Sequence, residues 1–276
     1  MMKPMTIRDL DLAQIALSGQ CFRMRKTGED TFGVAAADKY VEIVQKGEEF
    51  WFSCEEEEFQ NFWSPYFDLE TDYSRIKKLV DREDQYLTQA VEFGGGIRIL
   101  RQDLWEMIIT FLVSQNNNVG RIRRSIEALC DALGEAREAN GTKYRAFPTP
   151  KAIAKAGPEK LGSLGLGYRD KYLARMAEAV AGGEFDLEEL KREGYEEAHR
   201  RLTGQFGIGK KVADCICLFG LHHIDAFPVD THIKKILDAH YESGFPYDRY
   251  RGCLGVIQQY LFYYDLHGCA PMAEGR

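Results

Sequence analysis

The pattern of hydrophobic and polar residues predicts two kinds of structure along the chain. Short stretches rich in β-branched and aromatic residues occur at CFRMR (21–25), TFGVAA (31–36), KYVEIV (39–44) and FWFSC (50–54). The segments KTGED, ADK and KGEE that separate them have the composition of turns. This alternation predicts four antiparallel strands that follow one another in a meander.

Helical periodicity dominates the rest of the chain. The segment DYSRIKKLVDREDQYLTQAVEF (72–93) ends at three glycines, 94–96, which predict a joint between domains. Further helices are predicted at 101–115, 121–134, 149–157, 168–183 and 251–268, and on both sides of Gly207. We therefore predict an α+β fold. A twisted antiparallel sheet with one or two helices forms an N-terminal domain (1–94), and a mainly α-helical domain (95–276) follows.

Length and composition limit the classes of protein that remain. The chain has 276 residues, 45% of them hydrophobic, which is enough for a sizeable core in one large domain or two. No apolar run reaches the roughly 18 residues of a membrane span. The first residues, MMKPMTIRDLDLAQ, have no signal-peptide core. We expect an intracellular protein, in the cytoplasm or nucleoid if bacterial, that makes no membrane contact.

The cysteines give no sign of a disulfide framework or a metal site. There are seven, an odd number, and no CxxC pair occurs; they are Cys21, Cys54, Cys130, Cys215, Cys217, Cys253 and Cys269. An iron–sulfur cluster would need four clustered cysteines, and the C-terminal part offers two. We therefore predict neither a zinc ribbon nor a cluster, and no other metal site.

The charges are unevenly distributed along the chain. The formal net charge of −7, taken alone, argues against nucleic acid as a partner. However, acidic residues concentrate at 54–59 and 186–197, whereas RIRRS (121–125) and the basic stretch 198–213 contain none. A basic binding surface on an acidic protein is therefore one interpretation, and a solvated charged face is the other.

The stretch FGIGKK (206–211) lies between two helical patterns. Gly207 and Gly209 permit a tight turn, and the next helix is expected to start near Lys210. The unpaired N–H groups at a helix start, with their partial positive charge, bind phosphate. This is the arrangement of a helix-hairpin-helix DNA-binding element, although a simple packing corner fits these six residues equally well.

A second motif, FPVDTH (227–232), follows the hairpin. Pro228 disfavours helix before it, and Asp230 is placed to cap the helix that follows. On local grounds Asp230 is only a cap, and Lys211 is a surface charge paired with Asp214. The combination of a hairpin, Lys211 and Asp230 nineteen residues later favours a catalytic interpretation instead.

The segment GIGKKVADCICLF with FPVDTH closely resembles the 8-oxoguanine DNA glycosylase/lyase branch of the helix-hairpin-helix (HhH-GPD) glycosylase superfamily. Other segments agree in the same order, namely LSGQCFR (17–23), GIRILRQD (96–103), SQNNNVGRI (114–122), LGLGYRDKY (164–172) and QQYLFYYDL (258–266). The resemblance covers nearly the whole chain. It implies a monomeric, bifunctional glycosylase and AP lyase that flips 8-oxoguanine out of duplex DNA in base excision repair.

The resemblance assigns the catalytic roles to Lys211 and Asp230. Lys211 would attack the sugar carbon and form a Schiff base, while Asp230 would stabilise positive charge and assist proton movement. The attacking amine must be neutral, so we expect desolvation, the positive helix end and Lys210 to lower the pKa of Lys211. Lys211 should point into the base pocket beside Cys215, and Lys210 towards the backbone or solvent.

The resemblance also implies how the flipped base is recognised. The backbone carbonyl of Gly19 would accept a hydrogen bond from N7–H, which guanine lacks. Cys215 and Phe262 would stack on the two faces of the base, and Gln258 would contact its Watson–Crick edge. Without the resemblance, Cys215 and Phe262 would be interpreted as core residues and Gln258 as a surface residue.

Contacts to the DNA itself are implied at further positions. Asn116 and the Tyr168 wedge would fill the gap left by the flipped base, and Arg121 and Arg169 would donate to the orphaned cytosine. This set implies a preference for lesions opposite cytosine. Backbone groups around Gly207 and Gly209, together with His232, would contact phosphates.

The family commonly has proline before the first hairpin glycine, where this chain has Phe206. This departure concerns hairpin rigidity rather than chemistry. No obligate cofactor is implied, although the hairpin carbonyls could hold a monovalent or calcium ion with DNA.

Two alternatives remain open. The first is a helix-hairpin-helix glycosylase of different base specificity. Alkylated-base and adenine glycosylases lack the lysine, and thymine-glycol lyases usually carry an iron–sulfur cluster. The second alternative is a non-catalytic DNA-binding protein that uses the hairpin alone.

Overall fold

The computed structural model describes residues 3–268, so Cys269 lies outside the described residues. The N-terminal part is built on a five-stranded antiparallel sheet with the order β1-β5-β4-β3-β2. Its strands are β1 (Met5–Thr6), β2 (Met24–Lys26), β3 (Thr31–Ala36), β4 (Lys39–Lys46) and β5 (Glu49–Phe52). The predicted meander is confirmed, and β1 adds an edge strand beside β5, with Met5 opposite Phe50.

The N-terminal part has more helix than the one or two helices predicted. It contains four helical segments: α1 (Leu12–Leu17), a run made of α2 (Glu56–Glu58), a π-helical turn (Phe59–Trp63) and α3 (Ser64–Tyr66), then α4 (Tyr73–Lys78) and α5 (Gln85–Gly94). The segment 72–93, for which helical periodicity was predicted, forms two helices, because two aspartates cap separate helices. Asp72 accepts a hydrogen bond from the N–H of Arg75 at 3.1 Å, and Asp84 accepts one from the N–H of Leu87 at 2.9 Å.

The second part is mainly helical, as predicted. Its helices are α6 (Leu104–Ser114), α7 (Val119–Leu133), α8 (Pro150–Gly162, interrupted at Gly157), α9 (Asp170–Gly182), α10 (Leu187–Leu190), α11 (Tyr195–Thr203), α12 (Lys210–Phe219), α13 (Thr231–His240) and α14 (Leu254–His267). Two 3₁₀ turns, Gly167–Arg169 and Tyr247–Tyr250, complete it. None of the helices within residues 3–268 combines the length and hydrophobicity needed to cross a bilayer.

A small β-hairpin, which the helical periodicity did not predict, interrupts the helices. Strands β6 (Ala136–Ala139) and β7 (Thr142–Arg145) pair through a two-residue turn at Asn140 and Gly141. Both turn residues have positive φ, 50° and 79°, as the tightest hairpins require. The Asn-Gly pair was the available signal. Tyr144 stacks on Tyr40 with ring centroids 5.3 Å apart, which attaches this hairpin to the sheet.

Two hydrophobic cores lie side by side. One lies between the sheet and the helical run 56–66, and the other fills the helical part around α6, in which ten of eleven residues are buried. Helix α5 contributes Leu87 and Ala90 to the helical core, so by packing it belongs with the second part. The domain boundary between residues 94 and 95 stays a prediction.

A buried ion pair joins the two cores. The Arg23 guanidinium on the sheet side lies 3.2 Å from the Glu106 carboxylate of α6, and the two side chains are 6% and 8% exposed. The same carboxylate accepts a hydrogen bond from the N–H of Ala37 at 2.9 Å. Burial raises the pKa of Glu106, while Arg23 acts in the opposite direction. Removal of either partner would leave the other buried without its counterion, and this is the main way in which the pair affects stability.

We predict that Glu106→Gln lowers the free energy of unfolding by about 3 kcal/mol, because the Arg23 charge would stay buried without a counterion. Urea unfolding measures the change. The exposed Arg25–Glu127 pair, at 3.9 Å, provides the control. Glu127→Gln should change stability by less than about 0.5 kcal/mol. Equal effects of the two substitutions would contradict this account of the domain junction.

Candidate active site

The turn between α11 and α12 requires glycine and leaves the start of α12 open. Gly207 has a φ of +88°, and a Cβ added there would lie 2.5 Å from the ring of Tyr172. Gly209 precedes α12 in extended conformation, and no side chain caps the helix. Apart from its immediate chain neighbours, no residue within 3–268 places an atom within 4 Å of a Cβ added at Gly209. The amino end of α12 is therefore accessible to an anion.

The two lysines that begin α12 have different surroundings. Lys210 is exposed, whereas Lys211 is largely buried. The Lys211 amine is one helical turn from Cys215, which is 3% exposed, and lies 5.9 Å from the ring centroid of Phe111 on α6. The predicted difference between the two lysines is confirmed.

Asp214, the alternative partner of Lys211, has other contacts. Its Oδ1 accepts a hydrogen bond from the Tyr195 hydroxyl at 2.6 Å and lies 3.3 Å from His199. These contacts hold Asp214 against α11, so it serves the packing of the two hairpin helices. Lys211 is therefore not held by Asp214 and lies beside Cys215 and Phe111 instead.

The pKa of Lys211 lies above its ordinary value. The electrostatic influence of Cys215 raises it most, and Asp230 raises it further, while burial acts in the opposite direction. The expectation of a lowered pKa is therefore wrong for the protein alone. That expectation counted burial, the helix end and Lys210, but neither of the two groups that stabilise the ammonium form. At neutral pH this lysine carries a proton.

Asp230 caps α13, as predicted. Its Oδ1 accepts hydrogen bonds from the N–H groups of His232 at 3.0 Å and Ile233 at 2.9 Å. These bonds fix the carboxylate while its charge acts on Lys211. The structural and electrostatic roles of Asp230 are therefore compatible.

Helix α14 brings together three of the remaining predicted positions. Gln258 is 3% exposed rather than on the surface, and its amide donates to the carbonyl of Pro228 at 3.1 Å. Its Oε1 accepts from Gln259 at 3.2 Å. One turn later, the Phe262 ring lies 3.2 Å from the Cβ position of Gly19, whose φ is +77°. The glycine lets the loop approach the ring this closely.

His232 connects the capped loop to α14. Its Nδ1 lies 2.6 Å from the Asp265 carboxylate, and its ring packs edge-on against Phe262 at 5.8 Å between centroids. Asp265 was missed as a site residue, although it lies within the segment QQYLFYYDL that carried the resemblance. The pair fixes the orientation of the imidazole beside the pocket.

The residues predicted to contact the orphaned base lie in two neighbouring segments, the loop and first turn of α7 (116–121) and the 3₁₀ turn Gly167–Arg169. Asn116 is exposed and has a φ of +45°, and the Arg121 side chain is exposed in the first turn of α7. Tyr168 is 50% exposed. These three side chains are accessible to a partner.

Arg169 differs from them because it is 5% exposed. Its Nε donates to the carbonyl of Gln115 at 2.8 Å and its Nη2 to the carbonyl of Asn116 at 2.9 Å. The guanidinium also lies 4.6 Å from the ring centroid of Tyr168. Arg169 therefore holds these two segments together, and its donors are engaged within the protein.

Tyr172, for which the sequence predicted no role, connects the 3₁₀ turn Gly167–Arg169 to the turn between α11 and α12. Its ring lies edge-on to Tyr168 at 5.8 Å and to Phe206 at 5.1 Å. Phe206 in turn lies 5.0 Å below the guanidinium of Arg175. Aromatic and cation–π contacts therefore hold Phe206 at the position where the family commonly has proline.

Comparison with protein-family models accounts for most of the chain. Residues 3–108 match the N-terminal domain of 8-oxoguanine DNA glycosylase, and residues 109–244 match the HhH-GPD superfamily of base excision DNA repair proteins. The two matches follow each other without a gap and include Gly19, Lys211 and Asp230.

Individual relatives agree with these matches. The N-glycosylase/DNA lyase of Saccharomyces cerevisiae is 36% identical over 159 residues, which cover 53% of this chain and 42% of that protein. The N-glycosylase/DNA lyase OGG1 of Arabidopsis thaliana is 28% identical over 84% of this chain and 66% of its own length. The chain thus spans about two fifths to two thirds of the length of these curated relatives.

One solved structure aligns with this chain over almost the full length of both proteins. It is the Clostridium acetobutylicum 8-oxoguanine glycosylase/lyase in complex with dsDNA containing cytosine opposite to 8-oxoG. It is 35% identical to this chain, covers 95% of it and 93% of its own length, and superposes with a TM-score of 0.89. This chain therefore belongs to the 8-oxoguanine DNA glycosylase family of the HhH-GPD superfamily.

Proposed function

We propose that the protein is a bifunctional 8-oxoguanine DNA glycosylase and AP lyase that acts through a Schiff base on Lys211. The observation that carries the proposal is the largely buried amine between Cys215 and Asp230, beside an open helix end. A non-catalytic hairpin protein would have no need of this arrangement. The Clostridium complex with 8-oxoG opposite cytosine supports the choice of substrate.

In the proposed binding step, the target nucleotide leaves the duplex and enters the pocket. Backbone N–H groups at the start of α12 and the His232 imidazole bind phosphates, and the wedge Tyr168 occupies the gap. The accessible helix end and the exposure of Tyr168 support these roles. We propose that the protein binds duplex DNA as a monomer.

Base recognition uses the α14 face of the pocket. We propose that the Gly19 carbonyl accepts N7–H of 8-oxoguanine, while Cys215 and Phe262 stack on its two faces. The close contact between Gly19 and Phe262 supports a shared site. Gln258 retains an N–H and acceptor capacity beyond its two observed bonds, which supports its role at the Watson–Crick edge.

The first chemical step requires the neutral amine of Lys211. The base that fills the pocket excludes water, which favours loss of the ammonium proton. The nitrogen then attacks C1′, the bond from C1′ to the base breaks, and the base leaves with the electron pair and takes up a proton. Asp230, held by its two backbone bonds, stabilises positive charge on the sugar.

The second step opens the strand. The sugar ring opens as an imine forms between C1′ and the Lys211 nitrogen. Loss of a proton from C2′ moves electrons to the C2′–C3′ bond, and the 3′ phosphate leaves. Lysine and aspartate supply the nucleophile and the charge stabilisation, so we propose that no metal or cofactor is obligate. A monovalent or calcium ion at the hairpin carbonyls stays a prediction.

Preference for cytosine opposite the lesion is proposed to depend on Arg121 and Arg169. Arg121 is exposed and ready to donate to O2 and N3 of the orphaned base. Arg169 would first have to give up its bonds to the carbonyls of Gln115 and Asn116. In this proposal Arg121 therefore makes the main contact with the opposite base, and Arg169 holds the loop that carries Asn116.

Lys211→Gln should abolish the covalent adduct that borohydride traps between the protein and 8-oxoguanine duplex DNA, because no amine would remain in the pocket. Lys210→Gln is the matched control and should keep the adduct. Denaturing gels with labelled DNA measure it. An adduct of normal yield in Lys211→Gln, or none in the wild type, would contradict the lyase mechanism.

Cys215→Ala should move the rising limb of the pH–rate profile for abasic-site cleavage to lower pH. Removing Cys215 lowers the pKa of Lys211, so the neutral amine appears earlier as pH rises. Abasic DNA is the substrate because it has no base to stack. Cys217→Ala, a buried change on the same helix, should leave the limb in place. A limb that moves to higher pH in Cys215→Ala would refute the assignment.

Arg121→Ala should reduce the preference for cytosine over the other opposite bases by about tenfold, the lower part of the range for a directional base contact. Single-turnover excision opposite each of the four bases measures the ratio. Arg124→Ala, an exposed change one helical turn away, should lower all four rates alike. A wild type without preference would sink the proposed role of Arg121.

A further inference from the structure

The loop that carries Gly19 is fixed on one side by the junction between the cores. Ser18 and Gln20 are fully buried. The Gln20 amide donates to the Ser18 hydroxyl at 3.0 Å and to the Arg98 carbonyl at 2.9 Å, and Gln102 donates to the Gln20 carbonyl at 2.9 Å. These bonds determine the path of the chain after Gly19.

The preceding side of the loop is held from the helical part. The Arg123 guanidinium of α7 donates from Nη2 to the carbonyl of Ala16 at 2.9 Å, across 107 residues of sequence. His267, near the end of α14, donates from Nε2 to the carbonyl of Leu17 at 3.3 Å. Helices α7 and α14 thus each donate a hydrogen bond to the segment just before Gly19.

The bond from Arg123 is made at a cost. Its Nε is buried without a hydrogen-bond partner among the described residues. A buried donor that lacks a partner costs about 1–3 kcal/mol. A side chain whose only task was to stabilise the surface of α7 would gain by turning to solvent, so the bridge calls for another explanation.

We propose that Arg123 is a positioning residue for recognition of the lesion, because it sets the direction of the Gly19 carbonyl. The inference rests on the proposed function, in which that carbonyl accepts N7–H. Hydrogen bonds weaken steeply with angle, so a loosened loop would lose the contact. Helix α7 would then serve both recognition events, Arg121 at the opposite base and Arg123 at the lesion.

The test compares Arg123→Met with the wild type on two duplexes, one with 8-oxoguanine opposite cytosine and one with an abasic site. Base excision under single-turnover conditions should fall about tenfold, the rate equivalent of about 1.4 kcal/mol. Abasic-site cleavage and borohydride trapping should stay within about twofold, since neither needs base recognition. Arg123→Lys, which keeps a donor, should recover part of the excision rate.

Arg124→Met serves as the matched control, since Arg124 is the exposed neighbour on α7. It should leave the ratio of excision to abasic cleavage unchanged. Equal losses on both duplexes in Arg123→Met, or no loss on either, would overturn the inference alone. A wild type that cleaves abasic DNA but leaves 8-oxoguanine in place would overturn the proposed function as well.

Discussion

In the proposed mechanism the Lys211 amine must be sheltered from water and still be reachable by a sugar carbon, and much of the structure is consistent with these two demands. Burial alone would favour the neutral amine, but Cys215 and Asp230 raise its pKa. The protein alone therefore favours the ammonium form of the lysine. The proposed substrate supplies the missing desolvation and thereby activates its own nucleophile.

The residues of the candidate site come from elements that are far apart in sequence. Helix α12 carries Lys211 at its open end, and its remaining turns are buried. Asp230 enters from the cap of α13, and Phe262 enters from α14 against the Gly19 loop. Each side chain sits on an element whose own hydrogen bonds fix it, so the geometry does not depend on flexible loops alone. The buried Arg23–Glu106 pair and the hydrogen bonds to residues 16–20 connect the two cores.

Much of this arrangement could be predicted from the sequence because it depends on local rules. The alternation of strand-like and turn-like segments predicted the β-meander. The positions of Gly207 and Gly209 predicted the turn before α12, and the position of Asp230 after Pro228 predicted a helix cap. What the sequence did not reveal depended on tertiary contacts. Asp230, which is nineteen residues away in sequence, adds to the effect of Cys215 in raising the pKa of Lys211. Arg169 was predicted to face the partner base but is buried against two carbonyls. No spacing rule reveals either contact.

The central claim is that one particular amine, and not its exposed neighbour, becomes covalently attached to the sugar. Tandem mass spectrometry of the borohydride-reduced adduct, after digestion of both protein and DNA, locates the attachment directly. The account predicts the sugar remnant on Lys211 of the wild-type protein. A remnant on Lys210, or on any other amine, would contradict it.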